Sequence, residues 1–241
     1  MKLLITNDDG IEASGIAVLT EIMQSFGEVY VVAPHVNNSA VSHAITLRRA
    51  IKAKEVQLKG ATQAIAIDGT PADCVKYALV HLKIKPDMIL SGINSERNCG
   101  TDILYSGTVS AAIEANLCGY QAMALSSTDE NYEIVKREFP SIFEKLMSSP
   151  MDEQTTININ FPNTSKSHGI KITSVGQTKY DEVYIEHEDG HLLSGPFREI
   201  EQSDETDIMA VVSNYISITP LKFKLYDDKD ICTLKNIFET E

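Results

Sequence analysis

The feature that most constrains the fold is the alternation of short apolar, β-rich runs with longer helical patterns through the first 165 residues. Near-continuous apolar strands separated by helices favour a mostly parallel sheet that is covered on both faces. We therefore predict an α/β fold with a doubly wound sheet. The predicted strands are 3–6, 29–33, 64–67, 88–91, 122–126 and 155–161, and the predicted helices are 14–26, 71–82, 107–117 and 132–147.

The pattern changes in the last third of the chain. Short strand patterns alternate there with turns, and the Asp189-Gly190 pair predicts a hairpin. Residues 208–221 are predicted to be strand-rich, and residues 231–238 form a helix-like pattern. We predict a core over residues 1–165 that carries the functional site, followed by a smaller β-rich C-terminal extension over residues 166–241. An extension of this kind needs a partner surface and predicts oligomerisation.

The charge of the chain limits its partners. The 21 Lys and Arg residues face 34 Asp and Glu residues, which gives a formal net charge of -13. This charge repels nucleic-acid polymers and anionic membranes. A small phosphate ester remains compatible, because a metal ion can supply local positive charge. The sequence shows no signal-peptide pattern and no run of about 18 apolar residues, and its four cysteines are scattered. We therefore expect a cytoplasmic protein.

Two adjacent acids, Asp8 and Asp9, follow the first predicted strand. Ligands bind at the carboxyl ends of the strands in open α/β sheets. Adjacent carboxylates repel each other unless a cation or hydrogen-bond donors neutralise them, and a hard divalent cation is their natural partner. The alternative is a helix-capping Asp beside a solvated neighbour.

Three further segments are candidates for binding or for helix capping. Residues 105–110 open a helix with hydroxyl residues and a glycine, which predicts a phosphate site, although a plain Ser or Thr N-cap would leave the same pattern. The polar loops 34–43 and 92–102 could bind metal or phosphate oxygens, or simply form caps and turns. Thr70, Pro71 and Asp73 instead predict a helix start that needs no ligand.

Taken together, these segments resemble the survival protein E (SurE) family of 5'/3'-nucleotidases. The likeness spans most of the chain and rests on the order and spacing of its motifs. These are residues 7–10 with Gly15 and Ile16, residues 32–34 with Asn37 and Ser39, residues 69–75, residues 91–94 with Asn98 and Gly100, residues 105–109, Thr206-Asp207 and residues 217–221.

The resemblance implies a site and a reaction. Four residues would hold one divalent cation per subunit, magnesium or manganese: Asp8, Asp9, Ser39 and Asn94. The phosphate would be bound by Asn98, Ser106, Gly107 and Thr108, with Ser42 nearby, and the catalytic residues would be Asp8, Asp9 and Asn98. The implied reaction is hydrolysis of nucleoside 5'-monophosphates, with 3'-monophosphates and short polyphosphate as further substrates. The implied fold is a Rossmann-like core whose extension exchanges between subunits in a homodimer or homotetramer.

The sequence departs from the family at several positions. Ala40, Glu96 and Asn214 stand where glycine is usual, and Ser110 stands where glycine or alanine is usual. Glu96 has three open readings: it weakens anion binding, adds a metal ligand, or points to solvent.

Other functions are less compatible with the residues. An aspartyl-phosphate mechanism needs a carboxylate where this chain has Asn7. A Ser-His-Asp hydrolase lacks its Gly-x-Ser-x-Gly elbow, His35 and His43 have no evident partner, and no Gly-x-Gly-x-x-Gly follows the first strand. A nucleotide- or metal-sensing domain remains open, and phosphate release from AMP or GMP with manganese would separate it from an enzyme.

Overall fold

The computed structural model describes residues 1–129, 132–149, 152, 154–198 and 200–239. Strands and helices alternate through its first two thirds. The strands are β1 (Lys2–Thr6), β2 (Glu28–Pro34), β3 (Ala53–Val56), β4 (Gln63–Ile67), β5 (Met88–Asn94), β6 (Ala122–Ser127), β7 (Thr155–Phe161), β8 (Ile170–Ile172), β9 (Val183–His187), β10 (Gly190–Ser194) and β11 (Ile216–Lys222). The helices are α1 (Ser14–Met23), α2 (Pro71–Lys76), α3 (Gly107–Leu117), α4 (Glu133–Met147), α5 (Asp207–Val212) and α6 (Asp228–Phe238).

Nine strands form one sheet in the order β3-β4-β2-β1-β5-β6-β7-β11-β8. The six strands from β4 to β7 in this order are parallel, whereas β3 and β11 pair antiparallel with β4 and β7. The predicted α/β fold is thus confirmed. Strands β2 and β4 lie on one side of β1 in the sheet, and β5, β6 and β7 lie on the other, so the strand order reverses at β1. Doubly wound sheets bind ligands at the carboxyl ends of the strands beside such a reversal.

The core lies on both faces of the sheet. In β1, Leu3 and Ile5 face a buried cluster that includes the apolar sides of α1 and α4, and Leu4 faces the cluster formed with α2 and α3. Such double coverage explains why the central strands read as continuous apolar runs. On the α4 side, the rings of Phe139, Phe143 and Phe161 are fully buried and pack at centroid distances of 5.9 and 6.4 Å.

Some elements differ from the sequence prediction. The segment predicted to be strand-rich begins with α5, because a short apolar run by itself does not distinguish a strand from a helix turn. Strand β3 was not predicted, since it lies at the sheet edge with the exposed sequence Ala-Lys-Glu-Val. The predicted helix 71–82 consists of α2 followed by a π-helical turn, Tyr77–His81.

The C-terminal part contributes to the main sheet and also extends from it. Strands β8 and β11 belong to the main sheet, whereas β9 and β10 form a separate antiparallel hairpin, as the Asp189-Gly190 pair predicts. The hairpin strands and α6 bury none of their residues. The division at residue 165 stays a prediction. In the described ranges, no helix has both the length and the apolar character needed to cross a membrane.

Candidate active site

The loop after β1 is fixed by Asn7. Its buried side-chain amide donates to the Gly10 carbonyl at 2.8 Å, and its Oδ1 accepts the Gly10 N–H at 3.2 Å. With both ends of its amide engaged by the loop, Asn7 has a structural role. The next two residues, Asp8 and Asp9, are therefore presented at the carboxyl end of the central strand.

Asp8 is held against the N-terminus of α3. It is 4% exposed, its Oδ2 accepts the Thr108 N–H at 3.1 Å, and its Oδ1 accepts the Thr108 hydroxyl. Burial raises the pKa of Asp8, while the hydrogen bonds from Thr108 oppose that rise. Gly107 permits this approach, because a Cβ on that residue would lie 2.8 Å from the Asp8 Cβ.

Asp9 is more open and lacks such strong support. Burial, followed by the charge of Asp8, raises the pKa of Asp9 to about 6, and Glu96 adds to the repulsion. None of the ion pairs formed by the described residues includes Asp8 or Asp9. Two carboxylates in this arrangement favour an external cation that neutralises them.

Side chains with oxygen atoms, from two other loops, line a cleft together with Asp8 and Asp9. The Asn37 Oδ1 accepts the Ser39 N–H at 2.7 Å, and the Asn37 amide points toward Asp9 with a separation of 3.5 Å. The Asn94 amide nitrogen donates to the Glu96 carbonyl at 2.7 Å. Asn94 closes β5, the neighbour of β1, so the sheet itself brings its side chain near the two acids.

Asn98 is fixed by strands β6 and β7. Its side-chain amide donates to Ser126 Oγ at 2.8 Å, and its backbone N–H donates to Asn160 Oδ1 at 2.8 Å. Its carbonyl accepts the side-chain amides of Asn158 and Asn160. Asn98 is 6% exposed and still lines the cleft, so its position is set before any ligand binds.

One cleft of about 720 Å³ brings most of the predicted site residues together. The predicted residues that line it are Asp8, Asp9, Ser39, Asn94, Asn98 and Ser106. Gly107 and Thr108 do not line it and lie behind Asp8. Ser42 is also outside the lining, and its hydroxyl donates to the Leu104 carbonyl at 2.7 Å.

Comparisons with known proteins bear on this arrangement. The family described as "Survival protein SurE" matches residues 3–182. The chain belongs to the SurE family. It is 41% identical to the "5'-nucleotidase SurE" of Thermoanaerobacter sp. (strain X514), over 93% of each chain. It is 40% identical to the protein of the same name from Pelotomaculum thermopropionicum, over 100% of this chain and 96% of the relative.

A solved SurE structure agrees with the fold. The crystal structure of the Sure protein from Aquifex aeolicus has a TM-score of 0.84 and 34% identity, and the match covers 98% of this chain and 99% of that one. The fold of this SurE family member is therefore shared over nearly its full length.

The donor set in this SurE chain fits a hard divalent cation. Carboxylate, hydroxyl and amide oxygens are the ligands that magnesium and manganese accept. The described residues include no group of three or more His, Cys, Asp or Glu suited to a metal ion. The neutral oxygen-bearing side chains that line the cleft with Asp8 and Asp9 include Ser39 and Asn94.

At two of the departures the backbone shows why glycine is usual in the SurE family. Ala40 has a φ of 56° and Asn214 a φ of 63°, so both adopt the left-handed conformation that glycine adopts readily. Asparagine tolerates this conformation, whereas alanine is strained by roughly 1–2 kcal/mol. The third departure, Glu96, is exposed on the cleft wall, and its charge acts on Asp9.

The helix start at Thr70 is structural, as predicted. The Thr70 hydroxyl accepts the Asp73 N–H at 3.1 Å, and the Asp73 carboxylate accepts the Thr70 N–H at 2.9 Å. His43, which had no evident partner in the sequence, lies 2.8 Å from Glu114 on α3.

Three further residues support or line the site without having been predicted as site residues. Asp207 is fully buried and accepts the backbone N–H groups of Gly100 and Gly176 at 2.9 and 2.8 Å, which ties the loop after Asn98 to the C-terminal part. Tyr180 and Asp102 line the cleft itself. The Thr206-Asp207 motif marked the first of these contacts, whereas Tyr180 lies in no motif.

Proposed function

We propose that this chain is a divalent-metal-dependent phosphomonoesterase that hydrolyses nucleoside 5'-monophosphates to nucleoside and phosphate. The observation that carries the proposal is the meeting of Asp8 and Asp9 with the N-terminus of α3 in one cleft. The two carboxylates suit a cation, and the helix N-terminus suits an anion. The relatives reported above carry the name 5'-nucleotidase SurE, which supports the same reaction.

The proposed metal ligands are Asp8, Asp9, Ser39 and Asn94, with one magnesium or manganese ion per subunit. When bound, such an ion neutralises phosphoryl charge and activates water. Asp8 is positioned for this role by Thr108, which engages both of its carboxylate oxygens. Asp9 is held less firmly, by the Asn37 amide at 3.5 Å and a backbone hydrogen bond from Ser95, and is the freer of the two to accept a proton from the attacking water.

The proposed phosphate site combines Asn98 with Ser106, Gly107 and Thr108, and Ser42 lies in the adjacent loop. The Ser106 hydroxyl caps α3 by accepting the Val109 N–H at 3.0 Å. Ser106 lines the cleft, whereas the first turn of α3 lies behind Asp8. The positive field at this end of the helix would stabilise the equatorial oxygens as negative charge builds on them. The Asn98 amide is held in place by Ser126 and adds a further polar group.

A covalent aspartyl-phosphate route of the Asp-x-Asp type is disfavoured in this site. The position that would supply it is Asn7, and both ends of its amide are bonded to Gly10. Direct attack by water is therefore the proposed route.

The substrate range and setting belong to the same proposal. We expect 3'-monophosphates and short polyphosphate as secondary substrates, and no nucleic-acid polymer or membrane as a partner, because the net charge is -13. We also propose that the protein is a cytoplasmic homodimer or homotetramer. The exposed apolar residues of the β9–β10 hairpin and α6 support the oligomer.

Phosphate release from AMP and GMP with added manganese or magnesium tests the function. We expect excess chelator to stop phosphate release and added metal to restore it. We also expect phosphate to be released faster from AMP than from the 3' end of a long oligonucleotide. A protein that binds AMP without releasing phosphate under any metal would be a sensor. Full activity in excess chelator would exclude the metal-dependent route.

A further inference from the structure

Beyond the acids and the α3 N-terminus, the wall of the cleft is aromatic and charged. Tyr105 is 62% exposed and Tyr180 is 42% exposed, and both line the cleft with Arg97 and Asp102. Exposed tyrosine rings in a cleft offer flat apolar surfaces to a planar ligand. None of these four residues belongs to the proposed metal or phosphate site.

Tyr180 is held in place from two sides. Its hydroxyl donates to Asp102 Oδ2 at 2.6 Å, and the other oxygen of Asp102 accepts the Thr178 hydroxyl at 2.7 Å. Its ring packs edge-on against Phe197 at a centroid distance of 5.9 Å. Partial burial and the bond to Asp102 raise the pKa of Tyr180 to about 12, so its hydroxyl remains a donor at neutral pH.

The wall behind Tyr180 is also braced. The Arg97 guanidinium lies over the Phe197 ring at 4.8 Å, and Tyr180 and Phe197 form an antiparallel bridge. The ring is thus fixed before a ligand arrives, which reduces the entropy lost when it packs against one. It comes from the C-terminal part, so that part of the chain completes the cleft.

We propose that Tyr180, with Tyr105, forms the nucleoside end of the cleft, and that Tyr180 is a specificity-determining residue that stacks on the base of the substrate. This inference rests on the proposed function, because the phosphate end defines how the nucleotide lies. Every nucleobase has a flat π-face, so stacking accepts purines and pyrimidines alike. The enzyme would therefore discriminate nucleotides from sugar phosphates more strongly than one base from another.

The test compares AMP with ribose 5-phosphate, which has the same phosphate and sugar but no base. For Tyr180→Leu we expect kcat/KM for AMP to fall roughly tenfold to a hundredfold, mainly through KM, which is the range that loss of one base stack produces. The value for ribose 5-phosphate should stay within about twofold. Tyr180→Phe retains the ring and should preserve most of the preference for AMP.

Tyr184→Leu is the matched control, because Tyr184 is an exposed tyrosine on β9 outside the cleft lining. This substitution should leave kcat/KM unchanged for both AMP and ribose 5-phosphate. Equal losses for AMP and ribose 5-phosphate in Tyr180→Leu, or no loss for either, would overturn the inference while leaving the phosphatase intact. If the wild type releases phosphate from neither substrate, the proposed function fails, and the inference fails with it.

Discussion

At the residue scale, the adjacent acids Asp8 and Asp9 differ in their surroundings. Asp8 is buried and bonded to Thr108, whereas Asp9 is only partly buried and faces the charges of Asp8 and Glu96. Both carboxylates are needed if they share one cation, because each neutral replacement removes a negative ligand. The two residues therefore have different tasks within one proposed metal site.

Replacing either acid tests that site. We expect Asp8→Asn and Asp9→Asn each to lower kcat by more than about a hundredfold, since even groups that only orient metal ligands contribute 10–100-fold. Calorimetric metal titration should show weakened binding, and circular dichroism should show a folded chain. Asp87→Asn is the control, because this exposed carboxylate accepts the Lys2 N–H near the amino end of β5. Near-wild-type turnover in either site variant would remove the metal assignment.

Thr108 orients Asp8 through its hydroxyl as well as its backbone. Thr108→Val removes only the hydroxyl contact, and we expect kcat to fall about 10–100-fold, as for other groups that orient a metal ligand. Thr108→Ser retains the hydroxyl and should retain most of the activity. The comparison is made from initial rates at saturating metal. If Val and Ser variants are equally active, the hydroxyl has no positioning role.

At the scale of elements, one buried carboxylate joins two helices and a loop. Glu114 on α3 is 5% exposed and contacts Lys76 on α2 at 2.5 Å and His43, in the loop after β2, at 2.8 Å. Burial by itself would raise the pKa of Glu114, but the hydrogen bonds from His43 and Lys76 outweigh it and lower that pKa to about 2. The loop that carries Ser39 is thereby attached to the helix that carries the phosphate site.

This lowered pKa predicts a pH dependence of stability. The contribution of Glu114 is fully present above its ordinary pKa of 4.5 and is lost as the pH falls through about 2. We expect Glu114→Gln to lower the unfolding free energy by about 3 kcal/mol at pH 7, and the difference from wild type to shrink between about pH 4.5 and pH 2.

Urea unfolding across this pH range measures the effect. Glu144→Gln, on the exposed side of α4, should change the unfolding free energy by less than about 0.5 kcal/mol at every pH. A constant difference between wild type and Glu114→Gln from pH 7 to pH 2 would contradict the assignment.

At the scale of the whole molecule, the C-terminal extension exposes apolar side chains. On the hairpin, Ile185 and Leu192 are paired and are 46% and 54% exposed, and on α6 Leu234 and Ile237 are 53% and 60% exposed. Contiguous exposed apolar residues of this kind mark interaction surfaces. In the proposed homo-oligomer, a second copy of the chain would cover these side chains.

Light scattering tests the oligomer directly. We expect a mass of at least twice 26.6 kDa for the wild type at micromolar concentration. The double substitution Ile185→Asp and Leu192→Asp should shift the protein to lower mass, because charges in an apolar interface are costly. Val80→Asp, at a 73% exposed site on the π-helical turn, should leave the mass unchanged. A stable wild-type monomer would refute the prediction.

The sequence by itself determined the order of most strands and helices and the α/β class. These follow from local signals, namely apolar runs, helix caps and turn residues, as in the capping box of Thr70 and Asp73. It also placed acids and polar loops after successive strands, and parallel strands bring such loops to one edge of a sheet. Edge strand β3 and helix α5 were not predicted, because their short segments carry no distinct periodicity.

Only the tertiary structure decided which distant residues support and complete the cleft. Asp207 bonds to Gly100 across 107 positions, Asn160 bonds to Asn98 across 62, and Tyr180 reaches Asp102 across 78. Contacts at such separations leave no periodic or spacing signal in the chain, because they depend on how the C-terminal part folds back onto the sheet. The charge environment of Asp9 and of Glu114 likewise exists only after burial has removed water from around these carboxylates.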